Sequence, residues 1–209
     1  MSPSNPTSIN IDVIQAVLFD VICKDLSTKS YSVQKNAIPE ELINLLCERV
    51  NSEDGPHYKS AGIGRSVSQH KNQSVRRDKI AWIDDDMLID QKWNLWTETL
   101  RTALNRQLFM GLTPIECHYA RYEKGGFYKK HIDAFSGTDN RKISIVIFLN
   151  DAWKTADEGE LMLYVGPDHD EKILVSPEIG TLVIFLSTEV PHEVLPTNGT
   201  RNSIAGWYR

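Results

Sequence analysis

The chain has 209 residues, 41% apolar and 24% charged, a composition that fits a soluble globular protein and excludes disorder, collagen and coiled coil. A single domain is expected at this length, burying roughly 70% of its unfolded surface without disulfide staples. The net charge of −5 argues against nucleic acid or an anionic membrane as the principal partner, because both demand a basic surface.

The three cysteines, Cys23, Cys47 and Cys117, are odd in number and lack zinc-knuckle spacing, which points to a reducing compartment. The opening MSPSNPTSIN has neither the basic start nor the apolar stretch of a signal peptide, and no apolar run approaches the roughly 18 residues of a membrane span. A cytoplasmic location, where ferrous iron and free thiols persist, is therefore expected.

Residues 1–8 are rich in Ser, Pro and Asn and are expected to fray. In IDVIQAVLFDVICKDL, the residues Val13, Ile14, Val17, Leu18, Val21 and Ile22 recur at intervals of three and four, predicting an amphipathic helix packed on a sheet. Tyr31 to Gln34 reads as a short strand. Ile38 to Val50 reads as a second helix, with Pro39 at its first position, acids in its first turn, and Leu42, Leu45 and Leu46 on its buried face. Residues 51–76 are polar and rich in Gly, Ser, Asn and Lys, a long loop or hairpin that is either a mobile surface feature or a substrate loop. Asp78 to Ile83 alternates like a strand. Met87 to Met110 carries Trp93, Trp96, Leu100, Leu104 and Leu108 at helical spacing.

From Pro114 onward the chain becomes a series of short β runs, seven or eight strands in under a hundred residues, which predicts a sandwich or barrel. The runs Ile143–Leu149, apart from one serine, and Leu182–Leu186 are apolar throughout, so those strands should be covered on both faces, with the N-terminal helices as the outer layer. The expected architecture is α+β: one domain spanning 1–209, in which a mostly helical buttress and loop (1–113) support a β-barrel or jelly-roll core (114–209).

Within that β half, His131-Ile132-Asp133 places an imidazole and a carboxylate at i and i+2, a spacing that shares one face of an extended strand. The pair alone is weak evidence and is more often a surface His beside an Asp. His192 offers a third ligand, and two His with one Asp make the facial set of non-haem Fe(II) oxygenases, which leaves positions open for substrate and oxygen. Asn198-Gly199 has the chemistry of a two-residue hairpin turn, which would pair His192 with Ala205, Val194 with Ser203 and Pro196 with Arg201, putting His192, Ser203 and Arg201 on one face. Arg201 would then lie about 13 Å along the strands from the His. A short dicarboxylate fits between them, as 2-oxoglutarate requires: its keto-acid end meets the metal and its distal carboxylate pairs with the guanidinium.

These residues resemble the 2-oxoglutarate and Fe(II)-dependent dioxygenases, and more closely their prolyl 4-hydroxylase branch, which includes the oxygen-sensing hypoxia-inducible-factor hydroxylases and bacterial counterparts. The likeness runs from about Tyr31 to Tyr208 and rests on RRDKIAWID at 76–84, ARYEKGGFYKKHID at 120–133, IFLND at 147–151, PHEV at 191–194 and RNSIAGWY at 201–208. It implies a double-stranded β-helix (jelly-roll) barrel. It assigns His131, Asp133 and His192 to iron, Arg201 to the distal carboxylate, Tyr122 to a hydrogen bond with the cosubstrate, and Tyr128 and Trp207 to the pocket lining. Asp78 and Arg141 match a pair at the substrate mouth, and Gly64 to Arg77 match a finger that closes over peptide.

Two positions depart from the branch: Phe148 stands in place of a tyrosine that contacts the distal carboxylate, and Ala205 replaces a nearby threonine. Ser203 is the candidate replacement donor. The resemblance further implies Fe(II), 2-oxoglutarate, O2 and ascorbate as cofactors, and hydroxylation at C4 of a prolyl residue in a protein, with a translation factor as the target suggested by bacterial members. A free amino acid, another residue type or a metabolite is the alternative substrate, and a non-catalytic 2-oxoglutarate sensor the alternative function. His57, His70, His118 and His169 have no ligand partner at useful spacing and read as core or surface residues.

Overall fold

The computed structural model describes residues 11–61, 74–84, 86–134 and 141–209, so the start that was expected to fray and most of the Gly64 to Arg77 finger lie outside the described residues. In chain order the elements are α1 (Ile11–Lys29), β1 (Tyr31–Gln34), α2 (Glu40–Asn51), β2 (Lys59–Ser60), β3 (Lys79–Trp82), α3 (Leu88–Leu108), β4 (Glu116–Tyr122), β5 (Tyr128–His131), β6 (Ile143–Phe148), β7 (Leu161–Val165), β8 (Glu171–Val175), β9 (Leu182–Leu186), β10 (His192–Val194) and β11 (Arg201–Tyr208). Among the described residues no helix is long and apolar enough to cross a membrane.

Two antiparallel sheets form: a seven-stranded one in the order β1-β9-β6-β11-β4-β3-β2 and a four-stranded one in the order β5-β10-β7-β8. The apolar runs have the expected cause. Ile143, Ile145 and Ile147 of β6, with Leu182 and Ile184 of β9, pack under Trp93, Trp96, Leu100 and Leu104 of α3. Phe148, Val183 and Phe185 face the other way, onto Leu161, Leu163 and Val194 of the smaller sheet. Strands β6 and β9, both interior to the large sheet, are thus covered on both faces. Of the expected barrel or jelly roll the structure shows two antiparallel sheets that share no ladder among the described residues and so are not closed on one another. Side chains stand between them, and sheets facing one another across side chains lie about 10 Å apart, beyond backbone pairing at about 4.8 Å.

Three local expectations are corrected. Helix α1 buries Phe19, Ile22, Cys23 and Leu26, while Val13, Ile14, Val17 and Val21 face solvent. Its middle is apolar all round, so spacing offers two faces; the stripe through Val13 and Val21 runs on into Lys24 and Asp25, whereas the other stays apolar to Leu26. Pro39 caps α2 instead of occupying its first turn.

The third correction concerns the Asn198-Gly199 hairpin, which does not form. Strand β10 pairs with β5 and β7, and β11 pairs with β4 and β6. Neither Asn198 nor Gly199 adopts the positive φ that a type I′ turn needs. The segment instead crosses between sheets, pinned as Gly125 N–H donates to the Thr197 carbonyl at 2.7 Å and Asn198 N–H to the Asp157 carbonyl at 2.7 Å.

Candidate active site

His131 ends β5, and Asp133 lies just beyond the strand, where the chain bends. His192 is the direct register partner of His131 across the β5–β10 ladder, so the two imidazoles share a face. Asp133 Oδ1 stands 3.6 Å from His131 Nε2, and Oδ2 stands 3.5 Å from His192 Nε2. Two ligand atoms about 2.1 Å from a shared cation, at angles near 90–110°, would stand roughly 3.0–3.4 Å apart, so this donor set fits a first-row divalent metal with little adjustment.

The surroundings prepare the same ligation. His131 Nδ1 lies 2.8 Å from the Lys129 carbonyl and His192 Nδ1 3.1 Å from the Val190 carbonyl. A proton on each Nδ1 satisfies those contacts and leaves both Nε2 lone pairs turned toward Asp133. Burial pushes the His192 imidazole down to about 4, against the pull of Asp133, so it is neutral at physiological pH. Burial acting alone would raise the Asp133 carboxyl; His192 and His131 outweigh it and hold the group well below the usual carboxylate range. The Ser144 hydroxyl donates to Asp133 Oδ2 at 2.7 Å and lies 2.8 Å from the Ser187 hydroxyl.

Arg201 enters from the other sheet, opposite Tyr122 on β4. It is 1% exposed. Its Nε–H donates to the Gly159 carbonyl at 2.8 Å, Nη1 reaches the Ser203 hydroxyl at 3.4 Å, and the cation lies between the Tyr122 and Phe148 rings at 5.0 and 4.9 Å. Nη2 is enclosed without a hydrogen-bond partner. Burial drags the guanidinium down to about 10, with Tyr122 and Asp78 acting in opposition. A buried planar cation with an unused NH2 is incomplete without an anion, and a carboxylate fits it. Both halves open into one cavity of about 280 Å³, whose lining includes the triad, Arg201, Ser203 and Tyr122.

Tyr128, Trp207 and Arg141 also line this cavity. Tyr128 stacks on the His131 ring, with centroids 3.6 Å apart, and the Arg141 guanidinium lies 3.7 Å over the Trp207 ring. Asp78 is not on this cavity and is held by Arg76, not Arg141: Arg76 Nε–H donates to Oδ1 at 2.7 Å and Nη2 to Oδ2 at 2.5 Å. Two residues apart, they lie close enough for a fork that Arg141, occupied with Trp207 and within 3.9 Å of Glu116, does not supply. Arg76 also covers the Tyr128 ring at 4.4 Å.

Sequence reasoning missed Arg76 and Ser144. The signal for Ser144 was available, since it is a lone hydroxyl in a strand expected to be dry on both faces, and such a group needs a partner. His118, set aside as a core or surface residue, is buried and lines the cavity.

Comparison with known proteins gives a consistent picture. The family model described as the 2OG-Fe(II) oxygenase superfamily matches residues 117–209. A prolyl-4-hydroxylase structure from Pseudomonas putida is 34% identical, with a TM-score of 0.82 over 91% of this chain and 98% of that one. A Trichoplax adhaerens prolyl hydroxylase, solved with a hypoxia-inducible-factor oxygen degradation domain peptide, is 26% identical with a TM-score of 0.81, covering 96% of this chain and 94% of that one. Rat Egl nine homolog 1 is 27% identical over 157 residues, 69% of this chain and 45% of that protein. The chain thus spans less than half the length of that curated relative.

Proposed function

The chain belongs to the 2OG-Fe(II) oxygenase superfamily, and from that premise we propose that it is an Fe(II)- and 2-oxoglutarate-dependent dioxygenase that hydroxylates a prolyl residue, at C4, in a protein or peptide. One observation carries the reading: a three-ligand cluster and a buried guanidinium with an unused NH2 open into the same cavity. The P. putida and Trichoplax likenesses favour proline as the target, and the sequence resemblance makes a translation factor the candidate protein. We extend the reading to 1–209 as one catalytic domain in the cytoplasm. The two facing sheets are read as an open double-stranded β-helix, on the support that β4, β6, β9 and β11 go to one sheet while β5, β7, β8 and β10 go to the other.

When bound, iron with O2 supplies the oxidising chemistry that couples decarboxylation of 2-oxoglutarate to hydroxylation of a C–H bond. His131, Asp133 and His192 would hold the metal, with Ser144 fixing the carboxylate. Arg201 Nη2 and the Ser203 hydroxyl would take the distal carboxylate, and the Tyr122 hydroxyl, which has no hydrogen-bond partner among the described residues, would donate to the cosubstrate. Phe148 keeps that end dry, which strengthens the Arg201 pair by excluding competing water. Tyr128, Trp207 and Arg141 would receive the peptide. Asp78 would act indirectly, by holding Arg76 over Tyr128.

The test is to supply iron, 2-oxoglutarate and oxygen, measure succinate, and search lysate peptides for a gain of one oxygen at proline, with His131→Ala as control. Succinate and hydroxyproline from the wild type alone are expected. Absence of succinate would leave a binding protein; succinate with oxygen added only at other residues or small molecules would move the substrate assignment.

A further inference from the structure

His118 projects from β4 into the cavity on the same strand face as Ala120 and Tyr122, in a row with Trp82 on β3 and Ala205 on β11. It is 4% exposed, has no hydrogen bond to any described residue, and its Nδ1 is enclosed without a partner. The Trp82 ring meets it edge-on at 5.1 Å, and Trp207 lies 5.5 Å away on the adjacent row. Trp82 is half exposed and marks the rim of the cavity.

Burial pushes this imidazole down to about 3, with Arg76 and Arg141 adding to the effect against Asp133, so the ring is neutral and carries one N–H. An enclosed N–H without an acceptor is less tolerable than a bare ring lone pair, because orphaned buried donors are rarer than under-used acceptors. The proton therefore belongs on Nε2, leaving the enclosed Nδ1 bare. The ring thus offers one donor to the cavity. The cosubstrate does not reach it: His118 lies four residues along β4 from Tyr122, about 13 Å, while five carbons extend about 6 Å at ~1.5 Å per bond.

A donor between aromatic walls matches a prolyl segment. The imide nitrogen of proline carries no hydrogen, so the polar groups beside the ring are carbonyl acceptors, and the ring itself is an apolar body. We propose that His118 Nε2–H donates to an amide carbonyl flanking the target proline, with Trp82 and Trp207 as the walls against which the segment lies. His118 is then a substrate-reading residue, an inference that rests on the prolyl hydroxylase reading above.

The probe is an acetylated, amidated pentapeptide pool with proline at the centre and mixed residues elsewhere, given to the iron-loaded full chain. His118→Phe keeps the ring volume and removes the donor; it should raise the pool concentration for half-maximal oxygen incorporation about tenfold, leaving kcat and the 2-oxoglutarate KM unchanged. His118→Gln restores an N–H and should recover most of the loss. A second measurement needs no turnover: 15N-histidine spectra of the zinc-loaded, 2-oxoglutarate-bound protein, with His118 assigned by its loss in His118→Gln. These should show the Nε2–H tautomer and an Nε2 shift when the pool is added. An unchanged half-maximal concentration in His118→Phe, or an Nδ1–H tautomer, overturns the role of His118 and leaves the enzyme assignment standing. Failure of the wild type to oxidise the pool while it still makes succinate overturns the prolyl reading and this inference with it.

Discussion

Replacing Arg201 by methionine separates the cost of its buried charge from its purpose. Burial lowers the guanidinium from its ordinary value to about 10, which at about 1.4 kcal/mol per unit disfavours the folded, charged form by on the order of 3 kcal/mol. The sign follows from proton binding: the folded state holds this proton more weakly, so the penalty is fully present below pH 10 and fades as pH rises toward the value of an unfolded arginine. Methionine removes the charge and keeps an unbranched chain between Tyr122 and Phe148. It also strands the Gly159 carbonyl, at about 1–2 kcal/mol. Arg201→Met should therefore be about as stable as the wild type, or more so, without cosubstrate. With iron, under anaerobic conditions, 2-oxoglutarate at a hundred times its Kd should stabilise the wild type by about 2.7 kcal/mol, or about 5–10 °C in Tm, and leave the variant unmoved. Thermal melts with and without cosubstrate decide it. A variant that loses more than about 3 kcal/mol by itself, or that keeps the ligand-induced shift, would show that Arg201 serves the fold and not the diacid.

Ser144→Ala removes the hydroxyl donor to Asp133 and should weaken iron binding about 10–100-fold in a chelator competition, with 2-oxoglutarate affinity at saturating metal little changed. Ser203→Ala should raise the 2-oxoglutarate KM several-fold, about 1 kcal/mol for one hydroxyl contact; an unchanged KM would discard its role as the donor that compensates for Phe148. At Gly159, where φ is +76°, an added Cβ would meet Thr197 Cβ at 2.8 Å and Arg201 Cδ at 3.4 Å, so Gly159→Ala should cost about 1–3 kcal/mol in urea unfolding and weaken 2-oxoglutarate binding. His118 and His192 are buried neutral, at about 3 and 4, below the roughly 6.5 of an unfolded histidine. The unfolded chain therefore takes up protons first on acidification, and metal-free stability, complete above pH 6.5, should fall by on the order of 3 kcal/mol for each by pH 4. Urea midpoints should record that fall, and His118→Phe should show a shallower one.

The strands were legible where local chemistry determined them. β9 announced two-sided burial by being apolar at every position, and β6 by being apolar at every position but Ser144, while α3 announced its buried stripe through widely spaced tryptophans and leucines. Helix α1 was legible as a helix but not in orientation, because its apolar residues surround its middle and only the surface beneath it, α3 with Trp96 against Phe19 and the strand β1, selects Phe19 over Val17. Register was the least legible property. Asn198-Gly199 has hairpin chemistry, yet hydrogen bonds from Gly125 and to Asp157 hold the segment in a crossing, and those partners are distant in sequence. The Asp78 partner was misassigned for a related reason, since which arginine approaches depends on the path of the chain before β3.

The site survives that register error because its two halves never depended on one hairpin. His131 and His192 face one another across a ladder of the small sheet, whereas Arg201, Ser203 and Tyr122 stand on adjacent strands of the large one. Facing sheets present their inner side chains to a common space whichever strands are paired, so placing His192 and Arg201 on inner faces was sufficient for convergence. The distance between the halves is then set by what crosses the gap, namely the 195–200 segment and the Gly159 carbonyl that receives Arg201. Metal affinity should accordingly respond to changes around β5 and β10, and cosubstrate affinity to changes around β11 and Gly159. Ser144 couples the two halves, since it belongs to β6 of the large sheet but holds the Asp133 carboxylate beside the ligands of the small one.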